Sequence, residues 1–192
     1  MSSPSVADWA LVERVAKYLK HRPAVECVYR WQSSCEAIDA YSDSDWAGDK
    51  LTRRSTSGGM VCWGRSVLKS WSTRQTVVAR SSGEAEFYAL SKSASEALGV
   101  RSIAQDFGWD LSLIISLDSS AAKAMASRVG LGKTRHIDVC YLWIQDLTKK
   151  SWVKLRKIPG DKNPSDVLTK PKTGKETQEL LDCVSLSLDG LN

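Results

Sequence analysis

The chain of 192 residues is long enough for one domain with a sizeable core and modest extensions, and its 42% hydrophobic content excludes wholesale disorder. A net charge of +5 tilts the partner toward a polyanion, although a solvated basic surface accounts for it as well. Cys27, Cys35, Cys62, Cys140 and Cys183 form no C-x-x-C pair and have only His21 and His136 beside them, which argues against a zinc site and fits a reducing compartment.

Ala7 to Lys20 sets Leu11, Val12, Val15 and Leu19 on one helical stripe, and the "HRP" that follows stops it, because proline cannot continue a helix. The same opening lacks the apolar core and cleavage site of a signal peptide, and no apolar run reaches the roughly 18 residues of a membrane span, so a soluble intracellular protein is expected. The runs "VECVYRWQ", "AIDAYSD", "GGMVCWG" and "SVLKSWS" are β-like and separated by turn residues, which predicts an antiparallel meander. The period then changes. "SSGEAEFYALSKSASEALGVRSIAQDFG" reads as a long helix and "LSLIISL" as a strand buried on both faces. "SSAAKAMAS" and "HIDVCYLWIQDLTKK" read as helices and "WVKLRKI" as a last strand. An α/β fold is expected. After Pro171 the pattern is weak, as in a short helix or a frayed end. Trp46, Trp63, Trp71, Trp109, Trp143 and Trp152 are expected mostly in the core, because a large ring buries much apolar area.

Acidic residues stand at the ends of these elements. In "YSDSDWAGD", Asp43 is the last acid securely on a strand, and Asp45 and Asp49 fall in the turn; the competing use of all three is turn capping. On the long helix, Ser81 and Glu84 have the form of a capping box, which predicts that Glu84 reaches back to the Ser81 amide. Glu86 instead shares a stripe with Ala89, Leu90, Ser93, Ala97, Val100 and Ala104, and a carboxylate there needs a compensating cation or a functional cleft unless the helix end is exposed. Asp118 closes the buried strand, where ligand groups gather, but could equally cap the helix that begins after Ser119. Asp166, behind Asn163 and Pro164, would favour a helix dipole. Together the four acids suggest one cluster, tolerable only with cations, and oxygen ligands select Mg²⁺ or Mn²⁺.

The segments "YSDSDWAGD", "RRSTSGG", "SWSTRQTVVARSSGEAEFYALS", "KTRHIDVCYLWIQD" and "IPGDKNPSDVLTKP" resemble, in order and spacing, the ribonuclease H domain of copia-type retrotransposon Pol polyproteins. The resemblance spans Ala7 to Pro171. It implies a five-stranded mixed sheet with helices on both faces, and cleavage of the RNA strand of RNA:DNA hybrids with two Mg²⁺ ions, for which Mn²⁺ can substitute. It places the catalytic, metal-binding acids at Asp43, Glu86, Asp118 and Asp166. It implies residues 1–23 as a helix joining the polymerase, 24–171 as the ribonuclease H domain and 172–192 as a tail, with the reverse transcriptase of a parent polyprotein as partner and a virus-like particle in the cytoplasm, or the nucleus, as location.

Departures accompany it. Ser119-Ser120 stands where the family often has Asn-Gln, the loop "PGDKNP" lacks the histidine of many ribonucleases H, and no Y-x-D-D polymerase motif occurs, so a fragment or remnant is expected. His136 matches a family histidine, for which a structural or hybrid-contacting role is favoured over proton transfer. Candidate contacts to the hybrid are Arg53, Arg54, Arg74, Arg80, Ser119, Lys133, Arg135, His136, Lys162 and Lys170, the basic ones as phosphate ligands. Two rivals stand beside the enzyme: a catalytically inactive hybrid-binding remnant, and a recombinase of the same general fold, whose acids run Asp, Asp, Glu instead.

Overall fold

The switch from period-two to helical patterning near Ser81 divides a meander from a helix-rich second half. The computed structural model describes residues 4–21, 26–27, 29–130, 132, 136–184 and 186–187. Strands β2 (Ala37–Ser44), β3 (Thr56–Trp63) and β4 (Ser66–Arg74) form the antiparallel meander. Strand β5 (Ser112–Leu117) pairs parallel with β2, and β6 (Lys154–Lys157) pairs parallel with β5, giving the order β4-β3-β2-β5-β6. Leu113, Ile115, Ser116 and Leu117 are all buried, as expected of a strand covered on both faces.

Alternation in β3 separates two cores. Val61 faces the core beneath α2 (Ser82–Asp106), with Ile38, Phe87, Leu90, Leu113 and Ile115; α3 (Ser120–Ser127) and α4 (Trp143–Lys149) extend it. Buried Ala85, Ala89, Ala94 and Ala97 on α2 carry small side chains that let the helix approach the sheet. Met60 and Cys62 face the other way, under Leu181 and Val184 from and beyond α5 (Gly174–Asp182) and under Val167 and Leu168. Helices thus cover both faces, and the mixed five-stranded sheet is the expected one.

Several elements differ from expectation. Among the described residues of "VECVYRWQ", only Glu26–Cys27 (β1) forms a strand, paired with Leu186–Ser187 (β7) away from the main sheet. Beyond it, side chains bond to the β3–β4 hairpin instead of backbone joining a ladder: Tyr29 Oη donates to the Val67 carbonyl at 3.0 Å and Gln32 Nε2 to the Trp63 carbonyl at 2.8 Å. The run from His136 breaks into a short 3₁₀ turn, Val139–Leu142, whose Cys140 amide is capped by Asp138, and then α4. After Pro171, Thr173 and Glu176 form a capping box that starts α5, and Leu180 and Leu181 are buried. Helix α1 (Val6–His21) forms with none of its residues buried, so Leu11, Val12, Val15 and Leu19 are all exposed; Arg22 and Pro23 lie outside the described residues. Trp71 is buried, but Trp46, Trp109 and Trp152 are half exposed, so only part of the tryptophan set serves the core. Among the described residues no helix is long and apolar enough to cross a membrane.

Candidate active site

Strand register brings the first two acids together. Ser42 of β2 lies opposite Leu117 of the parallel β5, so Asp43 and Asp118 follow one step later at neighbouring carboxyl ends. Helix α2 supplies Glu86 from its first turns, on the buried stripe predicted for it. Ligand oxygens of Asp43, Glu86 and Asp118 all lie within 4.8 Å of one another. Asp43 is fully buried, Glu86 is 9% exposed, and Glu86 Oε2 is buried without a hydrogen-bond partner. Burial, with Asp43 and Asp118 beside it, pushes the Glu86 carboxyl up to about 9 against the restraint of a backbone hydrogen bond from Ser44. Burial likewise raises Asp43 to about 6, although Thr169 and Lys170 oppose the shift.

The fourth acid reaches this corner differently. Asn163 Nδ2 donates to the Ser42 carbonyl at 2.9 Å, and its Oδ1 caps the 3₁₀ turn Pro164–Leu168 at the Ser165 amide. Asn163 therefore anchors the Asp166 segment to the end of β2. Gly58, paired with Asp43 across the ladder, makes room: a Cβ there would stand 2.6 Å from Thr169 Cγ2 and 2.9 Å from Leu168 Cβ. Asp166 does not join the three-acid group. Its two oxygens face Lys170 Nζ and Lys172 Nζ, each at 2.6 Å, and Lys170 Nζ also lies 3.3 Å from Asp43 Oδ1. The Thr169 hydroxyl donates to Asp43 Oδ2. Burial raises Asp166, but its two lysines outweigh that and hold it below the usual range. Burial alone would lower the Lys170 ammonium, and Asp166 and Asp43 overcome this to hold it above the usual lysine range.

Asp45 and Asp49 shape the turn: Asp45 accepts from the Thr56 amide, and Asp49 accepts from the amides of Leu51 and Thr52. Glu84 is not a simple cap. Ser81 Oγ does accept from the Glu84 amide, but the Glu84 carboxylate, 2% exposed, accepts from the Arg80 amide rather than that of Ser81, from Tyr88 Oη at 2.6 Å and from His136 Nε2 at 2.8 Å. Burial raises Glu84 and these bonds more than offset it, leaving it lowered. His136 thus ties its loop to α2.

The proposed phosphate ligands divide. Arg53, Arg54, Arg80 and Lys162 are exposed, Arg74 pairs with Asp49 at 3.0 Å, and Lys133 and Arg135 lie outside the described residues. Ser119 spends its hydroxyl as the cap of α3, accepting from the Ala122 amide at 3.1 Å. Lys170 faces carboxylates instead of solvent phosphate. Thr169 and Lys172 were missed by sequence reasoning and carry no local signal, and Lys170 was expected only as a phosphate ligand; the Asp166-to-Lys170 spacing predicts one of its contacts and not its second arm to Asp43.

The donor set fits a hard divalent cation. It is all oxygen, Glu86 Oε2 has no other partner, and Gly160 leaves space beside Asp118, where a Cβ would come within 2.9 Å of Oδ2.

No family model matches the chain. It is 28% identical over 172 residues to the retrovirus-related Pol polyprotein from transposon TNT 1-94 of Nicotiana tabacum, covering 88% of this chain and 13% of that one. It is 29% identical over 174 residues to the corresponding polyprotein from transposon RE2 of Arabidopsis thaliana, covering 89% and 12%. The chain therefore spans about one eighth of the length of these relatives. Among solved structures, an RNase H1 isolated from compost by a metagenomic approach superposes with a TM-score of 0.54 at 17% identity, covering 69% of this chain and 92% of its own. That likeness is one of fold.

Proposed function

We propose that this chain, which belongs to the family of retrovirus-related Pol polyproteins from transposons and has the ribonuclease H fold, is a metal-dependent endoribonuclease acting on the RNA strand of RNA:DNA hybrids. One observation carries the reading. Asp43, Glu86 and Asp118 converge at the carboxyl ends of two parallel strands with a buried, unpartnered Glu86 oxygen, an arrangement that is costly unless a cation completes it.

Asp43, Glu86 and Asp118 would hold one Mg²⁺ or Mn²⁺, and Asp43 with Asp166 a second. Bound there, such ions activate water and stabilise the leaving oxygen of a phosphodiester. Glu86 would have to give up its proton to serve as a ligand, so its raised affinity for protons would make a cation easier to hold at higher pH. Asn163 and Ser119 fix the backbone on either side. Exposed Arg53, Arg54, Arg80 and Lys162 supply phosphate contacts whose strength falls with salt. The partner is the reverse transcriptase of a parent polyprotein, and the setting a cytoplasmic virus-like particle or the nucleus. Incubating the chain with a labelled hybrid, with and without Mg²⁺, tests the proposal: the RNA strand is cut only with metal and only when Asp43 is intact. Equal cutting by Asp43→Asn, or none by the unaltered chain, sinks it.

A further inference from the structure

We infer that Lys170 is a tethered counter-cation occupying the Asp43–Asp166 side of the site, so that the chain loads one divalent ion readily and a second only when this side chain swings away. The inference rests on the metal-site reading above. Its basis is geometric. Lys170 Nζ bridges Asp166 Oδ1 at 2.6 Å and Asp43 Oδ1 at 3.3 Å, which is where an ion shared by those two acids would sit. Lys172 takes the other Asp166 oxygen at 2.6 Å, and Thr169 the other oxygen of Asp43. Neither acid keeps a free oxygen for an ion on that side. Glu86, in contrast, belongs to the three-acid group and keeps one buried oxygen, Oε2, without a hydrogen-bond partner, so the two halves of the cluster are unequally prepared.

Charge balance agrees. With all four acids ionised, Lys170 and Lys172 leave two negative charges, which one divalent ion neutralises; a second ion beside both lysines would make the cluster cationic. Lys170 can leave. Its side chain is 40% exposed, whereas Asp43 is fully buried and Asp166 nearly so, so the ammonium can rotate into solvent or onto an incoming phosphate while the carboxylates stay. Lys170 is thus a positioning residue that makes the second ion depend on what draws the ammonium away.

The test is Mn²⁺ binding to the full chain, followed by electron paramagnetic resonance and calorimetry without nucleic acid. The unaltered chain is expected to bind one ion with a second at least about tenfold weaker, and Lys170→Met to strengthen the second site about tenfold or more while leaving the first in place. Lys170→Arg, which keeps the charge, should retain the one-ion pattern. Asp118→Asn should remove the first ion, confirming which site is which. Two equal sites in the unaltered chain, or the same weak second site in Lys170→Met, overturn the inference alone. No bound ion in any of these proteins overturns the metal-site reading and this inference with it. Unfolding of metal-free Lys170→Met would not end the test, because Lys170→Gln, which keeps a donor toward Asp166, is measured in parallel.

Discussion

Glu86→Gln should make the metal-free protein more stable while removing its cation site. The carboxyl stands at about 9 in the fold against an ordinary 4.5, because it is buried beside Asp43 and Asp118. Between those values the folded chain keeps a proton that the unfolded chain releases, so stability falls as pH rises, by about 1.4 kcal/mol per pH unit. By about pH 8 the loss has an upper bound of roughly 5 kcal/mol, and relaxation of the site leaves an expected 2–3 kcal/mol. Glutamine has nearly the same shape and no charge to bury. At about 2–4 °C per kcal/mol for a chain of this size, the metal-free variant should melt roughly 4–12 °C above the unaltered protein near pH 8, and level with it near pH 4.5. Asp43, raised to about 6, adds a loss between 3.8 and about 6 that both proteins share. Mg²⁺ should raise the melting temperature of the unaltered chain only. The assay is thermal unfolding by circular dichroism at both pH values, with and without Mg²⁺. A variant less stable than the unaltered protein near pH 8 without metal, or one that still gains stability from Mg²⁺, refutes the reasoning.

Asp43→Asn should abolish cleavage of hybrid RNA with the fold intact by circular dichroism, while Asp45→Asn, whose side chain can still accept from the Thr56 amide, should retain most of it in the same assay. Glu84→Gln should keep metal-dependent cleavage but lose about 1–3 kcal/mol in urea unfolding, since its carboxylate serves Tyr88, His136 and the Arg80 amide; loss of cleavage with unchanged Mn²⁺ binding would show that it has a second role. Deleting Met1 to Pro23 should leave the melting temperature near its original value, because α1 buries nothing, whereas truncation after Pro171 should lower it sharply by uncovering Met60 and Cys62. Sedimentation of the same truncated chains should show less self-association once the exposed stripe of α1 is gone.

What was legible depended on how local the deciding forces are. Hydrophobic period located β2, β3, β5, α2 and α3 closely, because those elements bury a continuous face. It misread "VECVYRWQ", where Tyr29 and Gln32 bond to a distant hairpin that no local pattern announces. Glu86 could be singled out because a charge on a stripe of Ala89, Leu90, Ser93 and Ala97 is locally inconsistent, and such inconsistency marks function. Glu84 was locally consistent as a cap, which concealed that tertiary packing had buried it under His136, 52 residues away. Asp166 was half legible in the same sense: Asn163, Pro164 and the turn were readable from adjacent residues, but the contact of Lys170 with Asp43 spans 127 positions. The acids that repel one another could therefore be found by their chemistry, while the cations that hold them in place could be found only by the fold, since a lysine has no local reason to be anywhere but in water.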